Sequence, residues 1–243
     1  MTNPRALAVA ATLVLVFASA ARATPPDPKR AARGMAAYHR YCISCHGVRG
    51  DGAGPTAQFV DPMPRDFTMG TFKFRSTPSG TLPTDADIHR TITNGLHTTY
   101  MPRWEAANEI ERNDLVQVVK SFSPRFKEEP QGEPVKVPPR PAFGPPLVQK
   151  GHEVWAKMQC ASCHGEQGKG NGPSAPTLVD DWGHPIKPHD FTEGPLKVGD
   201  EPEDLYRAFM TGLNGTPMPS FAESLQPDEA WALVAYVRTL RKD

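Results

Sequence analysis

The chain has 243 residues, with 27 Lys and Arg side chains balancing 27 Asp and Glu side chains, and 38% of its residues are hydrophobic. A formal net charge of zero provides no basic excess for a nucleic-acid backbone, which argues against nucleic acid as a partner. The length suits two small domains better than one. Because aromatic residues make up only 8% of the chain, a conventional core in each domain would be thin.

The first 23 residues have the pattern of a secretory signal peptide. A single basic residue, Arg5, precedes an uncharged run over residues 6–21, and residues 21–23 form an A-x-A cleavage site. We expect cleavage after Ala23, export to the periplasm, and a mature chain with a slight acidic excess. An uncleaved membrane anchor is the less favoured alternative, because the apolar run is shorter than the roughly 20 residues that span a bilayer.

The motif C-x-x-C-H occurs at residues 42–46 and 160–164, and the two copies contain all four cysteines of the chain. In such a motif both thiols can add to the vinyl groups of one haem while the adjacent imidazole ligates the iron. A local disulfide or a four-thiolate zinc site requires no histidine directly after the second cysteine. The sequence therefore predicts two covalently bound haem c groups. Their attachment residues and iron ligands are Cys42, Cys45 and His46 in the first copy, and Cys160, Cys163 and His164 in the second.

The two motifs belong to a longer internal repeat. Glycine-rich loops at 51–55 and 169–173, Asp-Phe-Thr triplets at 66–68 and 190–192, and Met-Pro loops at 95–102 and 212–219 occur in the same order in both halves. Such self-similarity indicates a tandem duplication of one domain. We predict a first domain over residues 24–123 and a second over 147–243, with a buried porphyrin supplying apolar surface in each.

Residues 124–146 separate the two copies and contain eight prolines. Proline lacks a backbone N–H and fixes φ, so this composition argues against a helix or a central strand. We predict an extended linker, either a semi-rigid spacer or a strap that lies across both domains.

The regular apolar spacing within each copy is helical. Apolar residues recur every fourth position at 88, 92 and 96 and at 205, 209 and 213, and they follow an i, i+4, i+7 pattern at 115, 119 and 122 and at 233, 237 and 240. No alternating run is long enough for a strand. The sequence predicts an all-α fold, with Pro227 in the first turn of the last helix.

On these motifs, both halves resemble class I cytochrome c domains, and the whole chain resembles a two-domain dihaem cytochrome c. The resemblance implies that Met101 and Met218, in equivalent Met-Pro loops, are the second axial ligands of the two irons. It also implies that the carbonyl groups of Pro55 and Pro173 accept a hydrogen bond from Nδ1 of the ligand histidines. His97 remains an alternative to Met101, since it lies four residues earlier where the second copy has Asn214.

A few other polar residues are weaker candidates for the haem sites. Lys73, Arg75 and Lys197 could pair with haem propionates, although a charge on a loop is usually only solvated. We expect His184 and His189, which lie in a proline-rich loop of the second copy, to be exposed to solvent.

Imidazole and thioether on opposite sides of both irons leave no position for peroxide, nitrite or oxygen, so each centre can only gain or lose one electron. The sequence thus predicts a periplasmic electron carrier between redox proteins, with no catalytic residues and no enzymatic activity. One alternative is an electron-transfer subunit of a larger periplasmic or membrane-bound oxidase or dehydrogenase complex. A dihaem peroxidase is less favoured, because such enzymes are generally longer and leave one iron accessible.

Overall fold

The computed structural model describes residues 22–197 and 199–241. Within those ranges the regular elements are α-helices and two short 3₁₀ turns, without strands, so the predicted all-α fold is confirmed. No helix in these ranges has the length and apolar character needed to cross a bilayer. The uncharged run of the predicted signal peptide, residues 6–21, lies outside the described residues.

The first domain is organised by the packing of its first helix against its last. Gly34 lies at this contact, where an added Cβ would come within 2.8 Å of the Asp114 backbone and of the Val118 side chain. The core contains the fully buried Tyr38 and Leu115. The helices of the domain are α1 (Pro28–Tyr41), α2 (Ile43–His46), α3 (Asp85–Asn94) and α4 (Glu109–Ser121).

The linker differs in part from the prediction, because its first residues form a short helix, α5 (Arg125–Glu128). Pro124 is the N-cap residue of this helix, a place where a proline interrupts no helical hydrogen bond. Phe126 is fully buried in the core of the first domain. Burial of the Phe126 side chain therefore favours a helix here, although the segment as a whole is rich in proline.

Residues 129–144 form a strap that touches both domains, and the last two residues of the predicted linker already belong to the next helix, α6 (Pro145–Lys157). The Val135 amide donates to the Ser76 carbonyl of the first domain at 2.8 Å. Two residues later, Val137 packs against the core of the second domain. Of the two predicted arrangements, the strap rather than a separating spacer is the one observed.

The second domain repeats the architecture of the first. Gly151 takes the place of Gly34, and an added Cβ there would collide with the carbonyl oxygen of Ala232 in the last helix. Pro227 occupies the first turn of that helix, followed by Asp228 and Glu229, as predicted. The helices are α6 (Pro145–Lys157), α7 (Ala161–His164), α8 (Pro202–Thr211) and α9 (Pro227–Thr239).

The repeat is interrupted by extra residues in the second copy, in a segment that we call the inserted loop, residues 178–189. The Asp180 carboxylate organises it by accepting hydrogen bonds from the backbone amides of Trp182 and His184, at 3.0 and 2.9 Å. The loop reaches the first domain, where the Arg65 guanidinium lies over the Trp182 ring, 4.3 Å from its centroid. This contact places the second domain against the first haem site.

Candidate haem centres

The first motif histidine is held by a carbonyl group from a distant segment. His46 closes the short helix α2, and its Nδ1 lies 3.1 Å from the carbonyl oxygen of Arg65. Because a carbonyl oxygen can only accept, Nδ1 carries the proton and Nε2 is left as the free donor for a metal. Burial lowers the pKa of His46, which keeps the ring neutral as metal ligation requires.

The second motif histidine has the same arrangement. His164 closes α7, and its Nδ1 lies 3.2 Å from the carbonyl oxygen of His189. Burial again lowers the pKa of the imidazole. The two predicted iron ligands therefore present Nε2 in the same tautomer.

The structure places this hydrogen bond elsewhere than the resemblance implied. The acceptors are Arg65 and His189, whereas Pro55 and Pro173 are exposed. The reason is that the glycine-rich loop folds back onto the motif helix: the Gly54 amide donates to the carbonyl of Cys45 at 3.1 Å. A Cβ on Gly54 would collide with the backbone of the motif, so the loop needs glycine for this close approach.

The repeated Asp-Phe-Thr triplet is what positions the acceptor carbonyl in the first domain. The Asp66 carboxylate accepts from the amide and the hydroxyl of Thr68 at 2.8 and 2.6 Å. The Phe67 amide donates to Gly50 at 2.7 Å, and its ring stacks on His46 with centroids 4.4 Å apart. The residue before the triplet is thereby fixed beside the histidine.

The triplet of the second domain makes the same contacts. Asp190 accepts from the amide and the hydroxyl of Thr192, again at 2.8 and 2.6 Å. The Phe191 ring lies 4.7 Å from that of His164. The sequence contained a signal for this role, because a proline stands two residues before the aspartate in both copies, at 64 and 188.

The methionine loops also share one geometry. The Leu96 amide donates to the carbonyl of Met101 at 2.9 Å, and the Thr99 hydroxyl closes the loop by donating to Leu96 at 2.8 Å. In the second domain Leu213 donates to Met218 at 3.1 Å. The two methionine loops differ in sequence, yet both place the methionine in a turn closed by a hydrogen bond from a leucine amide to the methionine carbonyl.

An apolar cavity of about 430 Å³ brings together the predicted residues of the first site. That volume is typical of a small-molecule or cofactor pocket. Met101 lines the cavity, while His97 is exposed and is not part of its wall. The other predicted residues that line it are Cys42, Cys45 and His46.

The chemistry of these residues fits a covalently attached haem. The four cysteines of the chain form no disulfides. Burial raises the pKa of Cys42 to about 12 and that of Cys160 to about 11, so both are neutral thiols in the folded chain. In the part of the chain that the structure describes, no cluster of three or more His, Cys, Asp or Glu side chains could hold a bare metal ion.

The second site is built into the core of its own domain. Met218 and Cys160 are half-buried and pack against the cluster that contains Trp155 and Phe209. The Trp155 ring lies 6.0 Å from that of His164, and its indole N–H is buried without a partner among the described residues. The structure thus places the predicted ligands of the second haem on the elements equivalent to those of the first.

Two of the three candidate cations line the first cavity. Lys73 and Lys197 do so, although Lys197 belongs to the second domain. Arg75 instead donates to the carbonyl oxygens of Thr211 and Gly212 at the end of α8, at 2.6 and 3.5 Å. Arg65, which was not among the predicted cations, lines the cavity together with the two lysines.

One of the two histidines that we expected to be exposed is not. His184 is exposed, but the Nε2 atom of His189 is buried and has no hydrogen-bond partner among the described residues. Burial lowers the pKa of His189 to about 4, with nearby Lys197 acting in the same direction. The proline-rich composition gave no sign of this, because His189 is drawn inward by the hydrogen bond that its carbonyl accepts from His164.

Comparison with known proteins gives matches to both halves of the chain. Residues 29–120 match the family described as cytochrome c oxidase, cbb3-type, subunit III, and residues 148–241 match the cytochrome c family. The cbb3-type cytochrome c oxidase subunit FixP of Azorhizobium caulinodans is 25% identical over 217 residues, which cover 86% of this chain. This chain spans only 59% of the length of that relative.

Among solved structures, a chain of the Kuenenia stuttgartiensis reducing HAO-like protein complex is similar over most of its length. It is 45% identical in sequence and superposes with a TM-score of 0.85. The match covers 86% of this chain and 96% of that chain.

Proposed function

The chain belongs to the cytochrome c family and carries two covalently bound haem c groups in tandem domains, and from this premise we propose that it transfers single electrons through two six-coordinate His/Met centres. The observation that carries the proposal is the first cavity, where His46 and Met101 line the same apolar space. The same histidine anchor and the same methionine turn recur in the second domain.

Each protein group has one task in this proposal. The cysteines would tether the cofactor, and the histidine Nε2 and the methionine sulfur would ligate its iron. The bound haem supplies one-electron chemistry between ferric and ferrous iron. The carbonyl groups of Arg65 and His189 hold the imidazole rings in orientation and strengthen them as donors. With both protein ligands bound, the iron would have no position left for a substrate, which is why we propose a carrier and not a peroxidase.

A more specific form of the proposal is that the chain works as a docked subunit of a larger oxidoreductase. Both relatives support it, since one is named as a subunit of a cbb3-type cytochrome c oxidase and the other comes from a protein complex. We propose a periplasmic location, because covalent haem attachment is expected outside the cytoplasm. The predicted signal peptide, residues 1–23, is consistent with this location.

Spectroscopy of the ferric holoprotein tests the proposed ligation. Electronic and magnetic circular dichroism spectra should show two low-spin His/Met centres in equal amounts. Met101→Ala and Met218→Ala should each convert one centre into a form that binds carbon monoxide. Met69→Ala is the matched control, since Met69 is exposed and does not line the cavity. A high-spin centre in the unaltered protein, or turnover of peroxide, would refute the proposal that the chain is an electron carrier.

Docking as a subunit is tested separately, by isolation at moderate salt. An affinity-tagged holoprotein should co-purify with a redox enzyme that its ferrous form reduces, or whose electrons it accepts. Recovery of the chain alone, with both centres intact, would favour a free carrier over the docked subunit.

A further inference from the structure

The cavity of the first haem is not walled by the first domain alone. Residues of the inserted loop line it, among them Trp182, and so does Thr216 of the second domain's methionine loop. The two segments are joined, because the Asp181 amide donates to the carbonyl of Gly215 at 3.2 Å. The second domain therefore contributes directly to the surroundings of the first haem.

Three cations line this shared cavity, Arg65 and Lys73 from the first domain and Lys197 from the second. Across residues 22–197 and 199–241, none of them forms an ion pair with a carboxylate. Lys73 and Lys197 occupy equivalent positions of the repeat, each seven residues after the aspartate of its triplet. Equivalent residues can line one cavity only where the two domains meet.

The acidic residues of the same wall form no ion pair with the three cations, although the charge of Asp180 acts to raise the pKa of Lys73 and that of Asp61 acts to raise the pKa of Lys197. Asp51 pairs with Arg49 at 2.9 Å, and Asp66 accepts the hydrogen bonds of its own triplet. Asp180 is engaged by the backbone of the inserted loop, and Asp61 is exposed. Their charges act on the cluster only from a distance.

The cations are also partly withdrawn from water. Burial, the charge of Lys197 and that of Arg65 together lower the pKa of Lys73 to about 8, and burial lowers the pKa of Lys197. Confining like charges beside an apolar cavity costs free energy unless an anion compensates them. A haem brings that compensation, because it joins a large apolar ring to two carboxylates.

We propose that the propionates of the first haem are neutralised by this cluster of Arg65, Lys73 and Lys197, so that the second domain helps to set the reduction potential of the first haem. The inference rests on the haem assignment of the proposed function and adds to it a regulatory contact between domains. The second domain has no equivalent of Arg65, since His189 stands at that position. The cluster is therefore expected to act most strongly on the first haem, whose cavity all three cations line.

The test measures the midpoint potentials of both haems in the full dihaem protein by spectroelectrochemistry. Lys197→Gln should shift the ferric to ferrous ratio of the first haem about tenfold toward ferric, or about 59 mV for a one-electron couple. The direction follows because the ferrous centre has one positive charge fewer, and removing a nearby cation favours the ferric state. The first haem is identified as the one whose spectrum changes in Met101→Ala.

Matched variants separate charge from packing. Lys197→Arg keeps the charge and should leave the potential near that of the unaltered protein, and Lys187→Gln changes an exposed lysine of the inserted loop. Lys73→Gln should lower the potential of the first haem in the same way. If Lys197→Gln yields no dihaem protein, Lys73→Gln alone tests whether the cluster affects that potential.

Unchanged potentials in dihaem Lys197→Gln or Lys73→Gln protein would refute the proposed role of the cluster. They would not contradict the proposed electron-transfer function. An equal fall in the potentials of both haems would also overturn the role of the cluster, because the three cations line the cavity of the first haem and should affect that haem more. Absence of His/Met spectra in the unaltered protein is a different failure, which removes the proposed function itself.

Discussion

The two haem domains share the part of the site that holds the ligands and differ in the part that surrounds them. The triplet, the histidine anchor and the methionine turn have matching hydrogen bonds in both domains. The residue that supplies the anchoring carbonyl is Arg65 in one domain and His189 in the other. Because only the backbone of this residue holds the ligand, its side chain is free to differ. The two copies thus share the hydrogen bonds that position the histidine and the methionine, and they differ in the charged side chains around them.

The largest expected effect comes from removing one tether at a time. Cys42→Ala combined with Cys45→Ala should leave one covalent haem per chain, and Cys160→Ala combined with Cys163→Ala should do the same at the other site. Mass spectrometry and pyridine haemochrome absorbance measure the content. Ser44→Ala, between the first two cysteines, is the control and should retain both haems. Two haems remaining in either double variant would mean that attachment does not use these thiols.

The helix crossings offer a second comparison between the domains. An alanine methyl at 151 would lie only 2.0 Å from the backbone carbonyl oxygen of Ala232, whereas at 34 its nearest neighbours, the Asp114 backbone and the Val118 side chain, are 2.8 Å away. Gly151→Ala should lower the free energy of unfolding by about 2 kcal/mol and Gly34→Ala by about 1 kcal/mol. Urea titration followed by Soret circular dichroism measures both. Gly144→Ala is the control, because an added methyl there would meet only the Pro146 side chain, at an ordinary contact distance of 3.8 Å.

Much of the fold and of the two haem sites was predictable from the sequence. The features that were not predicted share one cause. The haem motifs and the helices follow from neighbouring residues, so local spacing sufficed to find C-x-x-C-H and the apolar faces. The acceptor carbonyls lie 19 and 25 residues beyond the histidines they hold, and only the folded chain brings them there. The packing of the inserted loop against the first domain likewise depends on contacts between residues far apart in the sequence. The same is true of the burial of Phe126 within a proline-rich segment.

The domain interface contains an asymmetric contact of intermediate size. Arg75, only 2% exposed, donates to the carbonyls that end α8, and the equivalent position in the second copy is Gly199. Arg75→Met should therefore cost about 2 kcal/mol of unfolding free energy, because it removes the side chain that donates to the carbonyl of the buried Thr211 at 2.6 Å. Thermal unfolding of the holoprotein measures the loss.

The control for this contact is a second arginine that crosses the interface. Arg90 pairs with Asp204 at 3.2 Å and is more exposed, so Arg90→Met should cost well under 1 kcal/mol. Equal losses in the two variants would mean that burial does not determine the strength of the interface contacts.

The smallest expected effect tests the claim that the two anchors are equivalent. Thr68→Val and Thr192→Val each remove one hydroxyl that donates to the aspartate of its triplet at 2.6 Å. Each should lower the unfolding free energy by about 1 kcal/mol, and the two losses should agree within a few tenths, since the surrounding hydrogen bonds are the same. Thr68→Ser and Thr192→Ser keep the hydroxyl and should change little. If only one of the two variants lost stability, the matching hydrogen bonds would contribute unequally to the two domains. The domains would then differ in how firmly they hold the ligand histidines, as well as in the charges around the haems.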